Sequence, residues 1–212
     1  MATDGGHGQQ HGVTLIELVI VMTIISVLTA ILTPILTNYI EQARNTKAQA
    51  DTKTIGEAIG RFEQDVGRYP IFTSGGGFPA DSSANVVRLE GPGTAPTETS
   101  ATAWTAASPA DSDCTSGCQS GLIADQLLTN APAYTTTSSL AKPFKWKGPY
   151  IDVDTDPWGK KYLVNVINCK SSSSDACFAL SAGPDGKVQT AFNISRTSSL
   201  AASGDDIIYR IK

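Results

Sequence analysis

A single charged side chain, Glu17, interrupts the apolar run of residues 13–36, and this run limits what the chain can fold into. A helix rises ~1.5 Å per residue and a hydrocarbon core is ~30 Å thick, so the run is long enough to cross a bilayer. Glu17 would lie ~6 Å along that helix from Val13, near the headgroups, where a carboxylate is less unfavourable than at the bilayer centre. One interpretation is an interfacial glutamate that favours the positive end of the helix. The other is a carboxylate that finds a partner in an apolar assembly.

The residues before the apolar run differ from a secretory signal peptide, whose apolar region precedes its cleavage site. Here polar residues rich in Gly and Gln come first, so cleavage after Gly12 would remove a leader, residues 1–12, and keep the anchor. The sequence GVTLIELVIVMTIISVLTAI resembles the amino-terminal segment of type IV pilins and of the pseudopilins of type II secretion. This resemblance implies cleavage by prepilin peptidase between Gly12 and Val13, N-methylation of the Val13 amine, and retention of Glu17 and Pro34.

The resemblance also implies a filament. In it, the Glu17 carboxylate of an incoming copy pairs with the Val13 amine of a neighbour, and water screens such a pair little inside an apolar bundle. The implied partners are copies of the chain, minor pseudopilins, prepilin peptidase, and the inner-membrane assembly platform with its ATPase. The implied location is the inner membrane with a periplasmic head, and then a periplasmic filament.

The charges around the apolar run conflict with its expected orientation. The leader contains no Lys or Arg, whereas Arg44, Lys47 and Lys53 follow the run. Counting positive charges would therefore place the helix the other way round. We give the cleavage motif more weight, and a start codon other than Met1 would remove the conflict.

Composition argues against several classes of function. Both histidines lie in the leader, so the processed chain lacks the commonest general base, a Ser-His-Asp triad and histidine-ligated zinc. The chain has 16 basic and 20 acidic side chains, and loss of Asp4 with the leader leaves a net charge of −3. We therefore expect no enzyme and no nucleic-acid partner.

Helical periodicity continues beyond Pro34 and predicts one helix over residues 14–66. Pro34 should kink it, because proline removes a backbone donor and clashes with the preceding turn. Gly67 is a suitable C-terminal cap, and Pro70 ends any continuation. Residues 37–67 form the amphipathic part, with a face predicted to cover a sheet: Ile40, Ala43, Ala50, Thr54, Ile55, Ala58, Ile59, Phe62 and Val66.

Residues 68–145 read as a variable insertion, because residues 73–142 are rich in Gly, Ser, Thr and Pro. A loop of this length is usually functional or disordered, and residues 122–128 favour a short helix within it. Decoration of a filament surface and a flexible spacer are both open interpretations.

Four cysteines suggest two local bridges in an oxidising compartment, Cys114–Cys118 and Cys169–Cys177, although other pairings are open. Their spacings fit no common zinc pattern.

Residues 146–212 complete an α+β fold, with strands predicted at 162–167, 178–182 and 207–211. The long kinked helix, spanning the membrane in its first half and amphipathic in its second, is expected to pack on a small antiparallel sheet. The motifs GPY, DPWG, GPDG and GDDI, with DVGRYP at the helix exit, resemble the major pseudopilin of type II secretion.

That resemblance implies a calcium ion between the GPDG and GDDI turns. Its ligands would be the side chains of Asp185, Asp205 and Asp206 and a backbone carbonyl such as that of Ala182. Calcium accepts such hard oxygen ligands in a flexible shell, but the same residues are also ordinary turn formers.

Two functions remain after an enzyme is set aside for want of histidine or another catalytic motif. One is a pseudopilin of a periplasmic pseudopilus that drives protein export. The alternative is a type IV pilin of a surface pilus used in adhesion, motility or DNA uptake.

Overall fold

The computed structural model describes residues 12–72, 86–98, 102, 104, 119–137 and 144–212. The chain divides into two compact units between Ala43 and Arg44, and we call residues 44–212 the head. Helix α1, Leu15–Val66, contributes to both units and agrees with the predicted helix to within one residue. The remaining elements belong to the head.

In the first unit, α1 exposes its bulky apolar side chains, and four of its hydroxyl groups bond to the helix backbone. The hydroxyls of Thr23, Ser26, Thr29 and Thr33 each donate to the carbonyl four residues earlier, at 2.8 Å. These four donors are therefore already satisfied when lipid or an apolar neighbour covers the helix. Among the described residues it is the one helix long and apolar enough to cross a membrane. Pro34 lies within α1, and the kink predicted there stays a prediction.

In the head, one face of α1 is buried against the sheet. The predicted face is correct from Ile55 onward but wrong in its first turns, where Ala43, Ala50 and Thr54 are exposed. Small residues lie on several sides of these turns, so the hydrophobic pattern did not identify the buried side. The sheet selects the series Ala48, Thr52, Ile55, Ile59, Phe62 and Val66, whose spacing of three and four residues follows the helical turn.

Gly67 ends α1 as predicted. Its φ of 76° lies in the left-handed region, and its N–H donates to the Glu63 carbonyl at 2.8 Å. A side chain here would be strained and would also meet the Phe144 ring.

The sheet has five strands in the order β2-β1-β3-β4-β5. They are β1 Val86–Glu90, β2 Gln119–Leu122, β3 Leu163–Val164, β4 Phe178–Ser181 and β5 Ile207–Arg210. The pair β1–β2 is parallel and the other three pairs are antiparallel. The α+β class is confirmed, but the sheet is mixed, because β1 and β2 come from the segment predicted as an insertion.

Two short elements complete the head. Helix α2, Ile123–Leu127, confirms the short helix predicted over 122–128. A 3-10 turn, Val166–Cys169, replaces the end of the strand predicted over 162–167.

Both faces of the sheet are covered. On one face, Val164 and Ala179 join the core beneath α1. On the other, Leu163, Phe178 and Leu180 join a second core with Trp104 and Phe192, because neighbouring residues of a strand point to opposite faces. The sequence did not predict this second core.

Candidate functional site

The amino-terminal segment places the predicted cleavage residues at the start of α1. Gly12 and Val13 precede the helix, and Val13 is 72% exposed. The Glu17 N–H donates to Thr14 Oγ1 at 3.3 Å. Thr14 is therefore the N-cap, and Thr14-x-x-Glu17 has the spacing of a capping box, which favours helix initiation at Leu15. The apolar run does not indicate this local role of Glu17, but the spacing of Thr14 and Glu17 in the sequence does.

The GPDG and GDDI turns lie against each other in the head. The Asp185 N–H donates to Asp205 Oδ2 at 3.0 Å. A Cβ on Gly183 would lie 2.3 Å from the Asp205 carbonyl oxygen, so only glycine permits this approach. The structure thus brings together two turns that are 20 residues apart in sequence.

The GDDI turn, which we call the acidic turn, contains Asp205 and Asp206, and Asp206 is buried. Its Oδ2 accepts the backbone N–H groups of Gln189 at 2.9 Å and Thr190 at 2.6 Å. Burial raises the pKa of Asp206, although the hydrogen bonds from Thr190 and Gln189 lower it, and the charge of Asp205 raises it further. The Oδ1 atoms of Asp205 and Asp206 are both buried and lack a hydrogen-bond partner. They are the two oxygens of this site that could accept a cation.

Asp185 is engaged elsewhere. Its Oδ1 accepts the Lys187 N–H at 2.8 Å, and its Oδ2 accepts Gln189 Nε2 at 3.2 Å. Over the described parts of the chain, no group of three or more His, Cys, Asp or Glu side chains could hold a metal ion as arranged. The residues therefore fit a calcium site in part. Asp205 and Asp206 each offer an oxygen without a hydrogen bond, whereas both oxygens of Asp185 already accept one.

The Cys169–Cys177 disulfide is formed as predicted and is buried. It joins the 3-10 turn to the residue before β4. The Arg196 side chain also braces the enclosed loop, donating to the carbonyls of Lys170 at 3.1 Å and Asp175 at 3.3 Å. Cys114 and Cys118 lie outside the described residues.

A charged network centred on Arg88 has no signal in the sequence. Arg88 NH1 donates to Glu98 Oε1 and to the Trp104 carbonyl, and its Nε donates to Glu90 at 2.8 Å. Lys161 Nζ donates to the same Glu90 carboxylate at 2.7 Å. Burial raises the pKa of Glu90, but hydrogen bonds from Lys161 and Ser120 and the charge of Arg88 bring it below its ordinary value. Arg88 thus ties segments of loop-like composition to the sheet.

Comparison with known proteins gives one match. The family described as the prokaryotic N-terminal methylation motif matches residues 8–33. No curated protein and no solved structure matches significantly. The matched residues include Gly12, Val13 and Glu17, and the match extends over the apolar first part of α1. This motif implies processing by prepilin peptidase and polymerisation, and with the α+β fold it supports a filament subunit of the type IV pilin-like superfamily.

Proposed function

We propose that the chain is a pseudopilin of a type II secretion system, a structural subunit that polymerises into a periplasmic pseudopilus and drives protein export. The observation that carries the proposal is the methylation motif at the start of an apolar run, residues 13–36, whose single charge is Glu17. The GPY, DPWG, GPDG and GDDI motifs support the choice of a pseudopilin within the superfamily. Minor pseudopilins, the inner-membrane platform and its ATPase are the other partners that we propose.

The exposed helix explains why copies associate after they leave the membrane. Its apolar side chains are covered by lipid before assembly and by neighbouring helices afterwards. The Glu17 carboxylate then pairs with the Val13 amine of another copy in a medium of low dielectric constant. Desolvation of both charges offsets much of their attraction, so the pair selects axial register more than it adds stability.

Glu17→Ala tests this role in the full chain. We expect cleavage after Gly12 to be retained and filament yield to fall strongly, because the Val13 amine would be buried without its partner. Glu57→Ala is the matched control, because Glu57 is an exposed glutamate of the same helix, with Lys53 Nζ 3.9 Å from its carboxylate. Normal filaments from Glu17→Ala would contradict the proposal.

A surface type IV pilus is the second candidate, and the disulfide favours it. Family pilins often close a disulfide near the carboxy terminus. Cys177 is 35 residues before Lys212 in sequence, but in space its N–H donates to the Lys212 carbonyl at 3.1 Å. Deletion of the gene separates the two functions: loss of secreted proteins supports the pseudopilus, and loss of sheared surface filaments supports the pilus.

We also propose that the acidic turn binds calcium through Asp205 and Asp206, with Asp185 and the Ala182 carbonyl completing the shell. When bound, the ion would neutralise the two buried carboxylates and join the turns. Addition of chelator should lower the melting temperature of the full chain, and calcium should restore it. Asp205→Asn should abolish this difference, whereas Asp175→Asn, a half-buried aspartate at a distant loop, should retain it. A melting temperature that changes with neither chelator nor calcium would count against the site.

A further inference from the structure

A cleft of about 450 Å³ lies between the end of α1 and the disulfide loop, entirely within the head. We call it the basic cleft; its lining includes Arg68, Tyr69, Phe72, Lys170 and Ser171. The Arg68 guanidinium stacks over the Phe72 ring at 4.4 Å, which fixes the position of that cation. Glu63 is the one carboxylate among the described residues of the lining. The cleft is therefore cationic on balance in a chain whose net charge is negative.

A smaller cleft of about 180 Å³ lies on another part of the head, and its lining is anionic. We call it the acidic cleft; Asp51, Asp152 and Asp154 line it, together with Lys47. The Asp152 and Asp154 side chains are exposed on the loop that follows Ile151. Asp51 accepts a hydrogen bond from Tyr162 at 2.8 Å.

The two clefts lie on opposite flanks of α1. The acidic cleft takes Lys47, Asp51, Thr54 and Ile55 from α1, and the basic cleft takes Glu63 from α1 and Gly67 from its C-terminal cap. Their centres are ~13 residues apart, which corresponds to ~20 Å along the helix and ~140° around it. Complementary patches on different faces of one chain form head-to-tail contacts, which build open filaments and not closed dimers.

We propose that the occupant of the basic cleft is a second copy of this chain, which inserts its Asp152 and Asp154 carboxylates between Arg68 and Lys170. This inference rests on the proposed filament function and names a contact between heads in that filament. Charge complementarity supports the choice of partner. The acidic cleft of one head would be repelled by acidic surfaces of another head, but it is attracted to the cations of the basic cleft. The contact also sets the stagger of neighbouring helices at ~20 Å.

Cysteine cross-linking in filaments of the full chain tests the contact. Ser171→Cys combined with Asp152→Cys should give cross-linked oligomers upon oxidation, because a disulfide needs Cα atoms within ~7 Å. Ser171→Cys with Ser198→Cys is the control, because Ser198 is exposed and lines neither cleft. We expect clearly more oligomer from the first pair, because the contact would hold its two thiols at a high effective concentration.

A charge reversal tests the same contact without cysteines. Lys170→Glu should raise the concentration needed for assembly roughly fivefold, as expected for one or two exposed charge pairs. Adding Asp152→Lys to this variant should restore the original concentration needed for assembly. If Lys170→Glu acted by impairing folding, the second substitution would not restore assembly.

The outcomes separate the two proposals. Absence of filaments from the unmodified chain overturns the filament function itself. Filaments in which the 152–171 pair cross-links no better than the control, or in which position 171 cross-links to another protein, overturn only the head contact.

Discussion

Asn165 offers the sharpest test of how the head is held together. Its side chain is fully buried at the end of β3. Its Nδ2 donates to the carbonyls of Ala176 and Phe192, both at 2.9 Å, and its Oδ1 accepts the Phe178 N–H at 2.7 Å. One amide thus connects β3 to β4 and to the segment that covers the second core.

Replacement of Asn165 by Ala removes all three hydrogen bonds. The Ala176 carbonyl and the Phe178 N–H then lose this partner in a buried site, whereas the Phe192 carbonyl keeps a longer bond from Asn168 Nδ2, at 3.3 Å. A hydrogen bond contributes about 1 kcal/mol net, and an orphaned buried group costs about 1–3 kcal/mol. Water entering the small cavity would satisfy part of this set. We therefore expect a loss of roughly 3–5 kcal/mol in the free energy of unfolding. For a domain of this size, that corresponds to a fall of roughly 10 °C in melting temperature.

Tryptophan fluorescence during thermal unfolding of the full chain in detergent micelles measures this loss. Asn193→Ala is the control, because Asn193 is half-buried and its Oδ1 accepts one bond from Asn168, at 3.2 Å. The control should lose less than about 1 kcal/mol. If both variants melt at the same temperature, the Asn165 bonds do not hold the two layers together and the reasoning is wrong.

Two further predictions concern the same head. Burial, and then the hydrogen bond and charge of the neighbouring carboxylate, raise the pKa of Tyr162 well above its ordinary value. The contribution of Tyr162 to the free energy of unfolding is complete below pH ~10 and is lost above that pH at up to ~1.4 kcal/mol per pH unit. The free energy of unfolding in urea should therefore fall less steeply between pH 9 and 12 for Tyr162→Phe than for the unmodified chain. An unchanged slope would refute this. Replacing Cys169 and Cys177 together by Ser should cost roughly 2.5 kcal/mol, from the entropy of the small loop they close; an unshifted urea midpoint would contradict it.

Local patterns predicted α1 well because its signals act over a few residues. The apolar run, the Gly67 cap and the proline at position 70 depend on neighbours within one or two turns. The same sequence could not show which small residues of the helix are buried. Ala48 and Thr52 become core residues only because the sheet lies against that side.

The parallel pair of β1 and β2 was beyond prediction for a related reason. Both strands lie in segments of loop-like composition, and β2 contains Gln119, Ser120 and Gly121, none of which favours a strand. They pair because residues far apart in sequence supply the stabilisation. Arg88, in particular, bonds to Ser120 at 3.1 Å and to Glu98. Such long-range contacts leave no periodicity in the sequence.

The acidic turn shows why motif resemblance finds residues more readily than their arrangement. The family resemblance of the two motifs named Asp185, Asp205 and Asp206 as candidate ligands, and the structure places them in adjoining turns. The backbone then divides their roles. The N–H groups of Gln189 and Thr190 hold Asp206 with one oxygen free, whereas Asp185 accepts the N–H of Lys187. A cation at this turn therefore meets an unpartnered oxygen on each of Asp205 and Asp206, whereas both oxygens of Asp185 already accept a hydrogen bond. Calcium affinity here should depend more on the buried Asp206 than on the exposed Asp185. The Oδ1 of Asp206 is buried with no hydrogen bond to offset its desolvation, whereas both oxygens of Asp185 accept one.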